Sequence, residues 1–162
     1  AFSRDNARTP VQWDDGVNAG FTTGEPWLKV NPNYKQINVQ AQVNDEDSVL
    51  AFYKKLTRLR KSEEYKETIV YGQLIPYLEE EKNLIAYFRK GEKTLLVLAN
   101  FQKDSRKVQL PAPAKKVVLN NKESVNWGCP RDNGEQGTCR KDTRGMEIEL
   151  SGFQYVLLEL ED

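Results

Sequence analysis

Two arginines, Arg4 and Arg8, and two tryptophans, Trp13 and Trp27, stand close together near the start of the 162-residue chain. A guanidinium presents a rigid fork of donors to a carboxylate or to neighbouring hydroxyl groups. An indole offers a flat apolar surface, and aromatic rings stack on the apolar faces of a pyranose while polar side chains hold its hydroxyls. The four side chains are therefore candidates for carbohydrate recognition.

Other kinds of site lack their usual residues. The chain has no histidine, which removes the commonest zinc ligand and the simplest general base. Its two cysteines, Cys129 and Cys139, lie ten residues apart in a glycine-rich segment, too few ligands for a metal site. Reduced thiols in a cytoplasmic protein are the favoured interpretation, and a disulfide in an exported protein is the alternative. We predict no metal and no cofactor.

Charge and hydropathy argue against two further classes of protein, nucleic-acid binders and membrane-spanning proteins. Lys and Arg number 24, as do Asp and Glu, so the formal net charge is zero, whereas nucleic-acid binders usually carry a basic surplus. No apolar run approaches the roughly 18 residues of a membrane span. We expect a cytoplasmic protein with neither a nucleic-acid nor a membrane partner. Because the first residues contain neither Met nor a helix start signal, we also expect the chain to be cut from a longer one.

The segment that carries these arginines and tryptophans, residues 2–33, is predicted to be an irregular loop. Proline and glycine occur throughout it, a density that is incompatible with a helix or a central strand. Its aromatic content is too high for disorder. Loops of this length in compact domains usually serve a function. We interpret it as an ordered loop moulded onto another structure.

One amphipathic helix is predicted over residues 46–62. Val49 and Leu56, with the residues between them, give an apolar stripe at helical spacing. Acidic residues precede the first turn and basic residues close the last, as the helix dipole favours. Asp45 or Asp47 is the predicted N-cap. The basic end is interpreted as a solvated helix terminus.

From residue 68 onward the hydrophobic period changes to two, which predicts short strands. The candidates are residues 68–71, 73–78, 83–89, 94–101, 107–110, 115–119, 146–150 and 155–160. Pro76 indicates an edge strand or a bulge, residues 90–93 a hairpin turn, and the nearly wholly apolar run 94–101 a strand buried on both sides. Residues 120–145 are polar and predict a surface excursion. The fold class is therefore mainly β, with a C-terminal antiparallel sandwich or barrel.

The motifs RDNARTPVQWD (residues 4–14), NAGF (18–21), PW (26–27) and VNPNY (30–34) closely resemble the α-glucosidase branch of the α-amylase family, which includes oligo-1,6-glucosidase and dextran glucosidase. The resemblance continues through Ile37-Asn38-Val39 and the predicted helix, then through Val70-Tyr71-Gly72, to the run that ends at Phe101. It covers residues 2 to 102 well and the remainder only as a generic sheet.

This resemblance implies a (β/α)8 barrel followed by a C-terminal β-sandwich. Residues 1–66 would be the end of the barrel, with a loop over 1–45 and its last outer helix over 46–62, and residues 67–162 would be the sandwich. Family members are retaining enzymes with an aspartate nucleophile, a glutamate acid/base and a second aspartate. All three lie upstream of the RDNARTP motif, so the resemblance assigns no catalytic residue to this chain.

One substrate-binding residue is implied by the resemblance. Arg4 is the first arginine of RDNARTP, which in relatives faces the sugar next to the reacting bond and pairs with a barrel carboxylate. A fixed guanidinium would orient the glucosyl unit through its hydroxyls. A structural brace is the alternative role of Arg4.

The neighbouring side chains receive structural interpretations. Arg8 is predicted to brace the loop through Asp5 or Asp14. Trp13 and Trp27 are expected to pack the loop onto the barrel rather than to stack on sugar.

The predicted function is that of the C-terminal part of an α-glucosidase that hydrolyses α-1,6 or α-1,4 bonds of short oligosaccharides and is inactive without its barrel. Its partners would be the α-gluco-oligosaccharide and the missing barrel. One alternative is a stand-alone sandwich that binds carbohydrate or protein through Tyr77, Tyr87 and Phe88, although core packing is the preferred explanation of these rings. Another is a non-catalytic relative of the same architecture.

Overall fold

The computed structural model describes residues 7–128 and 147–161. The chain divides into two units, Ala1–Leu59 and Arg60–Asp162. In the first unit the described residues form short 3-10 turns at Val17–Gly20 and Pro32–Lys35, helix α1 at Val39–Gln42 and most of helix α2, Val49–Lys61.

Helix α2 confirms the predicted amphipathic helix with slightly narrower bounds. Its N-cap is Ser48, whose hydroxyl accepts a hydrogen bond from the Ala51 amide at 3.1 Å. The prediction of Asp45 or Asp47 as the cap is wrong. Asp45 instead accepts the Asp47 amide at 2.9 Å in a turn before the helix, because only the residue directly before the first helical position can reach the third amide of the helix.

The second unit contains eight strands among its described residues. They are β1 Gln73–Pro76, β2 Leu84–Lys90, β3 Thr94–Asn100, β4 Arg106–Gln109, β5 Ala114–Asn120, β6 Asn126–Gly128, β7 Glu147–Leu150 and β8 Tyr155–Leu160. A five-stranded sheet has the order β1-β2-β3-β8-β5, and a three-stranded sheet has the order β4-β7-β6. Every pairing is antiparallel, which confirms the predicted mainly β fold.

The core lies between the two sheets. Leu96 and Leu98 of β3 meet Ile148 and Leu150 of β7 there, and all four side chains are fully buried. Each such side chain contributes about 1.5–3 kcal/mol relative to exposure. Leu95 points to the opposite face of β3 and is also buried. The prediction that this strand is buried on both sides holds at Leu95, whereas Val97 and Ala99 on the same face are half-buried.

The edges of the five-stranded sheet disfavour further pairing. Pro76 lies in β1, an edge strand, as predicted, and its missing amide proton therefore breaks no ladder. At the other edge, the register of β5 against β8 shifts twice, between Ala114 and Lys116 and between Val117 and Leu119. Bulges and lysines are the usual means by which an edge strand avoids pairing.

One strand prediction is wrong. Residues 68–71 form a π-helical turn, Glu67–Tyr71, because Gly72 donates its amide to the Glu67 and Thr68 carbonyls at 3.1 Å each. The predicted surface excursion over residues 120–145 fits its described part, since residues 121–127 are mostly exposed although the short strand β6 begins there, and its remainder from 129 lies outside the described residues.

Candidate functional site

The QWD part of the N-terminal motif is fixed by backbone hydrogen bonds on both sides. The amides of Trp13 and Asp14 both donate to the Ala19 carbonyl, at 2.9 and 3.2 Å. The carbonyls of Gln12 and Trp13 accept the amides of Val39 and Gln40, at 2.8 and 2.9 Å. The segment is thereby held between a tight turn and the start of α1, which confirms an ordered loop.

The NAGF motif forms a turn of three consecutive left-handed residues, Asn18, Ala19 and Gly20, with φ values of 51°, 56° and 65°. Left-handed backbone costs roughly 1–2 kcal/mol for a residue with a β-carbon. Asn18 tolerates it best, and its side-chain amide donates to the carbonyls of Thr22 and Gly24, at 3.2 and 2.9 Å. Ala19 is fully buried, so the surrounding packing holds the turn in this strained form.

The carboxylate of Asp14 belongs to the same turn. It accepts the Gly16 amide at 2.7 Å. A β-carbon at Gly20 would collide with this carboxylate, so the motif requires glycine for space as well as for its positive φ. Asp14 is therefore a turn residue, with one carboxylate oxygen bonded to the Gly16 amide.

Asparagine and glutamine side chains hold the later part of the loop. Gln12 donates its side-chain amide to the Asn33 side-chain oxygen at 3.0 Å and to the Ile37 carbonyl. Asn38 caps α1 by accepting the Ala41 amide at 2.8 Å. The residues that make this sequence unusual thus form an internal network that shapes the loop.

A guanidinium and an indole meet at the surface of this unit. The Arg8 Cζ lies 5.6 Å from the ring centroid of Trp27, within the range of a cation–π interaction. Trp27 is 86% exposed and Trp13 is 51% exposed. This pair combines a flat apolar ring with a cation, which is the chemistry that the sequence indicated. The proposed brace between Arg8 and Asp5 or Asp14 stays a prediction.

Several residues singled out from the sequence lie outside the described residues. These are Arg4, Asp5, Cys129 and Cys139. The substrate-binding role of Arg4 and the redox state of the cysteines therefore remain predictions. Within the described ranges, no group of three or more acidic or cysteine side chains could hold a metal ion.

A buried polar cluster in the second unit was missed by sequence reasoning. Glu159 of β8 is 3% exposed, and its carboxylate accepts hydrogen bonds from Tyr65, Lys93 and Lys115 at 3.0–3.1 Å. Burial raises the pKa of Glu159, but the three donors and the charge of Lys93 outweigh it and lower the pKa to about 2. The one available signal was a glutamate inside an otherwise apolar strand.

Tyr65 is the buried partner of this carboxylate. Burial, together with its hydrogen bond to Glu159, raises the pKa of the Tyr65 hydroxyl above its usual value. The ammonium groups of Lys93 and Lys116 lie 5.4 and 5.5 Å from its ring centroid. Because both of its oxygens already accept hydrogen bonds, Glu159 acts as a structural anchor rather than as a reactive acid.

Two of the three aromatic residues considered for a binding face, Phe88 and Tyr77, pack in or against the core. Phe88 is buried, and its ring centroid lies 5.0 Å from that of the half-buried Tyr77. Tyr87 is also half-buried. Core packing therefore accounts for Phe88 and Tyr77.

Comparison with known proteins matches residues 1–72 to the alpha amylase catalytic domain. An oligo-1,6-glucosidase of Parageobacillus thermoglucosidasius is 50% identical over 134 residues, which are 82% of this chain and 23% of that protein. An oligo-1,6-glucosidase of Bacillus cereus is 51% identical over 109 residues, 67% of this chain and 19% of its own length. The chain belongs to the α-amylase family.

Solved structures of the family agree with the fold. The isomaltulose synthase of Klebsiella sp. LX3 superposes with a TM-score of 0.79 at 34% identity, over 98% of this chain and 26% of that chain. The chain spans about a fifth of the length of the curated relatives it matches. Among the described residues, no helix is long and apolar enough to cross a membrane.

Proposed function

We propose that this chain is the C-terminal portion of a retaining α-glucosidase of the α-amylase family that cleaves α-1,6, or α-1,4, bonds of short oligosaccharides. The observation that carries the proposal is the N-terminal loop. Its unusual residues Gln12, Asp14, Asn18 and Gly20 each have a defined structural task, and the same stretch lies within the part matched to the catalytic domain. A loop whose contacts maintain strained, left-handed backbone is typical of a functional site.

This proposal assigns a structural role to each part of the chain. Residues 1–66 complete the catalytic barrel, and residues 67–162 form the C-terminal sandwich. The half-buried apolar stripe of α2, which contains Phe52, Leu56 and Leu59, supports the presence of further barrel structure to cover it. We place the protein in the cytoplasm, with Cys129 and Cys139 reduced.

The 162-residue chain is proposed to be inactive on its own. Retaining glycosidases need a nucleophile and an acid/base held about 5–5.5 Å apart. The one buried acid that the structure describes, Glu159, is committed to a tyrosine and two lysines. The catalytic carboxylates are therefore assigned to the part of the barrel that the relatives carry in addition.

Arg4 is proposed to hold the glucosyl unit beside the reacting bond. The support is its position four residues before Arg8 and directly before a loop whose backbone is fixed at Gln12 and Trp13. A guanidinium fork that holds a carboxylate and adjacent hydroxyls in fixed geometry would lower the entropic cost of orienting the sugar. The substrate is a neutral or phosphorylated α-gluco-oligosaccharide.

A fusion protein tests the proposal. The matching segment of the Parageobacillus oligo-1,6-glucosidase is replaced by this chain, and hydrolysis of isomaltose and p-nitrophenyl α-glucoside is measured for the fusion and for the 162-residue chain alone. We expect activity only in the fusion. A folded fusion without activity would contradict the assignment to an α-glucosidase. Steady turnover by the purified 162-residue chain would contradict the proposal that this chain is inactive on its own.

The same fusion tests the role of Arg4. Arg4→Ala is expected to lower kcat/KM on the order of 100-fold, as misplacement of a bound substrate does, with an unchanged melting temperature. Arg58→Ala, on the exposed side of α2, is the matched control and should leave activity unchanged. Equal activity of the two variants would remove Arg4 from the site.

A further inference from the structure

Asp15 and Gly16 form the one Asp–Gly pair of the whole sequence. In such a pair the amide nitrogen of the glycine can attack the side-chain carboxyl of the aspartate, because glycine has no β-carbon to obstruct the approach. The product is a five-membered succinimide ring, which water opens to aspartate or to isoaspartate. How readily this happens depends on the way in which the fold presents the carboxyl and the attacking amide.

The attacking amide is held against a neighbouring carboxylate. The amide of Gly16 donates a hydrogen bond to the carboxylate of Asp14 at 2.7 Å. Its proton must leave when the nitrogen bonds to a second carbonyl carbon, and a carboxylate at hydrogen-bond distance is positioned to accept it. A β-carbon at position 16 would stand 2.9 Å from the same Asp14 oxygen. The absence of a side chain at Gly16 therefore exposes the nitrogen and also admits the base.

The carboxyl under attack is exposed, whereas the backbone on both sides of it is fixed. The Asp15 carbonyl accepts a hydrogen bond from the Lys35 ammonium at 2.6 Å, and the Gly16 carbonyl accepts the Ala19 amide at 3.1 Å. Asp15 itself is exposed, and in the part of the chain that the structure describes its carboxylate has no hydrogen bond or ion pair. The carboxyl can therefore rotate while the amide that it meets stays in place.

We propose that Asp15 is a site of spontaneous isoaspartate formation in which the Asp14 carboxylate takes the proton of the attacking Gly16 amide. A bond forms between the Gly16 nitrogen and Asp15 Cγ, and the bond between Cγ and the hydroxyl of the protonated Asp15 carboxyl breaks. The hydroxyl leaves as water with the proton that Asp14 has received. A water molecule from solvent then opens the ring at either carbonyl, so the overall change is an isomerisation without gain or loss of mass.

Isoaspartate at this position alters a turn that is closed on both sides. It inserts the β-carbon of residue 15 into the main chain, inside the turn that the amides of Trp13 and Asp14 close by donating to the Ala19 carbonyl at 2.9 and 3.2 Å. Ala19 keeps its left-handed backbone only because the surrounding contacts hold it. The modification is thus expected to loosen the turn. Neither step involves a sugar or a catalytic carboxylate, so it is independent of the proposed function.

Ageing of the purified 162-residue chain at physiological temperature and neutral pH tests the proposal. Endoproteinase Asp-N cuts before aspartate but not before isoaspartate, and electron-transfer fragmentation of the uncut peptide locates the isomer. We expect isoaspartate to accumulate at Asp15 over weeks. Because the isomer is located by peptide, it is not confused with a product of Asn133–Gly134. No isoaspartate at Asp15 would overturn the proposal.

Asp104 is the internal control in the same digest. Like Asp15 it is exposed, precedes a small residue, Ser105, and accepts a side-chain donor on its carbonyl, here the Asn100 amide at 2.9 Å. It differs in being followed by a residue with a β-carbon. We expect no isoaspartate at Asp104 in the time in which it accumulates at Asp15, and equal accumulation at the two sites would overturn the proposal.

Two asparagine substitutions test the role of Asp14. Asp14→Asn keeps an oxygen that can accept the Gly16 amide but removes the base, and should lower the rate of isomerisation at Asp15 on the order of 10-fold or more. The matched control is Asp45→Asn, because the Asp45 carboxylate also accepts the amide two residues further on, that of Asp47, at 2.9 Å. This control should leave the rate at Asp15 unchanged. A rate in Asp14→Asn that equals or exceeds that of the unmodified sequence would overturn the proposal.

The unfolded chain gives a readout that needs no variant. In urea the contact between Gly16 and Asp14 is lost, so isoaspartate should form at Asp15 more slowly than in the folded chain. A faster reaction in urea would show that the fold protects this pair, and it would overturn the proposal.

Hydrogen exchange measures the effect on the turn. In the aged chain the amides of Trp13 and Asp14 should exchange faster than in the fresh chain, while the amides of β3, in the second unit, should be unchanged. Asp15→Glu lengthens the side chain and disfavours ring closure, so this variant should keep slow exchange on ageing. Equally fast exchange in aged Asp15→Glu would contradict the loosening of the turn by isoaspartate.

Discussion

The hydroxyl of Tyr65 donates a hydrogen bond to the carboxylate of Glu159 at 3.0 Å, across 94 residues of sequence. Both residues are 3% exposed. The bond ties the segment that follows α2 to the middle of the five-stranded sheet, where Lys93 and Lys115 complete the shell of the carboxylate. Residues 60–72 are in this way part of the sandwich unit, although the catalytic-domain match includes them.

Removing the tyrosine hydroxyl should destabilise the unit. Tyr65→Phe keeps the ring and its contacts with the lysines but leaves one carboxylate oxygen without its donor. We expect a loss of about 1–3 kcal/mol in the free energy of unfolding, the usual cost of an unsatisfied buried polar group. Urea denaturation followed by circular dichroism measures it. Tyr71→Phe, at an exposed ring, is the control, and equal effects of the two changes would contradict the anchor role.

The low pKa of Glu159 predicts the direction of acid sensitivity. Its folded-state pKa is about 2 against an ordinary value of 4.5, so the unfolded chain binds the proton more readily between these values. The stabilisation is therefore fully present above pH 4.5 and is lost as the pH falls toward 2. Glu159→Gln should flatten the stability–pH profile in this window. An unchanged slope in that variant would show that another group controls it.

Replacing Glu159 should also be costly at neutral pH. Glu159→Gln leaves Lys93 and Lys115 beside a neutral amide, and breaking a buried ion pair by removing one partner typically costs about 3–5 kcal/mol. Since Lys115 is largely exposed, we expect the lower end of that range. Glu147→Gln, whose carboxylate pairs with the exposed Lys107, is the matched control with a cost of about 1 kcal/mol or less.

The left-handed turn should not accept a β-branched residue. Ala19→Val places such a side chain at φ 56° in a fully buried position, where both backbone strain and overpacking act. We expect a loss of about 2–4 kcal/mol from the first unit. Ala41→Val, on the exposed side of α1, should cost about 0.5 kcal/mol. Unfolding of the two variants is followed by near-ultraviolet circular dichroism, to which the neighbouring Trp13 contributes. Equal losses of stability in Ala19→Val and Ala41→Val would contradict the view that the turn at Ala19 is strained.

The contact between Arg8 and Trp27 should contribute little by itself. A cation–π pair at an exposed site is worth about 0.5–1 kcal/mol. A double-mutant cycle with Arg8→Leu and Trp27→Leu is expected to give a coupling energy in that range, measured by thermal unfolding at several salt concentrations. A coupling near zero would show that this contact does not stabilise the unit.

The sequence predicted the regular parts of the fold because they depend on local patterns. The change to a period of two predicted β2 and β8, the nearly wholly apolar run 94–101 predicted β3, and Pro76 predicted the edge position of β1. Residues 68–71 were predicted as a strand because Ile69 and Val70 favour strands. Their helical turn depends instead on Arg89, whose guanidinium donates to both carbonyls from a strand 20 residues away.

The candidate site was predictable in kind but less so in detail. The motif around Gln12 and Trp13 predicted an ordered loop, and the structure explains its amide and glycine residues by hydrogen bonds within the loop. The anchor at Glu159 could not be predicted, since its partners Tyr65 and Lys93 are distant in sequence. Charge at a buried strand position is meaningful only after the fold brings its counter-ions together.

The irregular pairing of β5 and the proline in β1 affect whether the chain aggregates while it is being synthesised. While the protein is being synthesised, the two edge strands of the larger sheet can be exposed before other parts of the protein pack against the sandwich. Exposed edge strands can pair with other chains and start fibril formation. In this sheet the register of the edge strand β5 shifts twice within Ala114–Asn120, and the other edge strand, β1, lacks an amide proton at Pro76. The half-assembled protein therefore resists misassembly at the stage when it is most vulnerable.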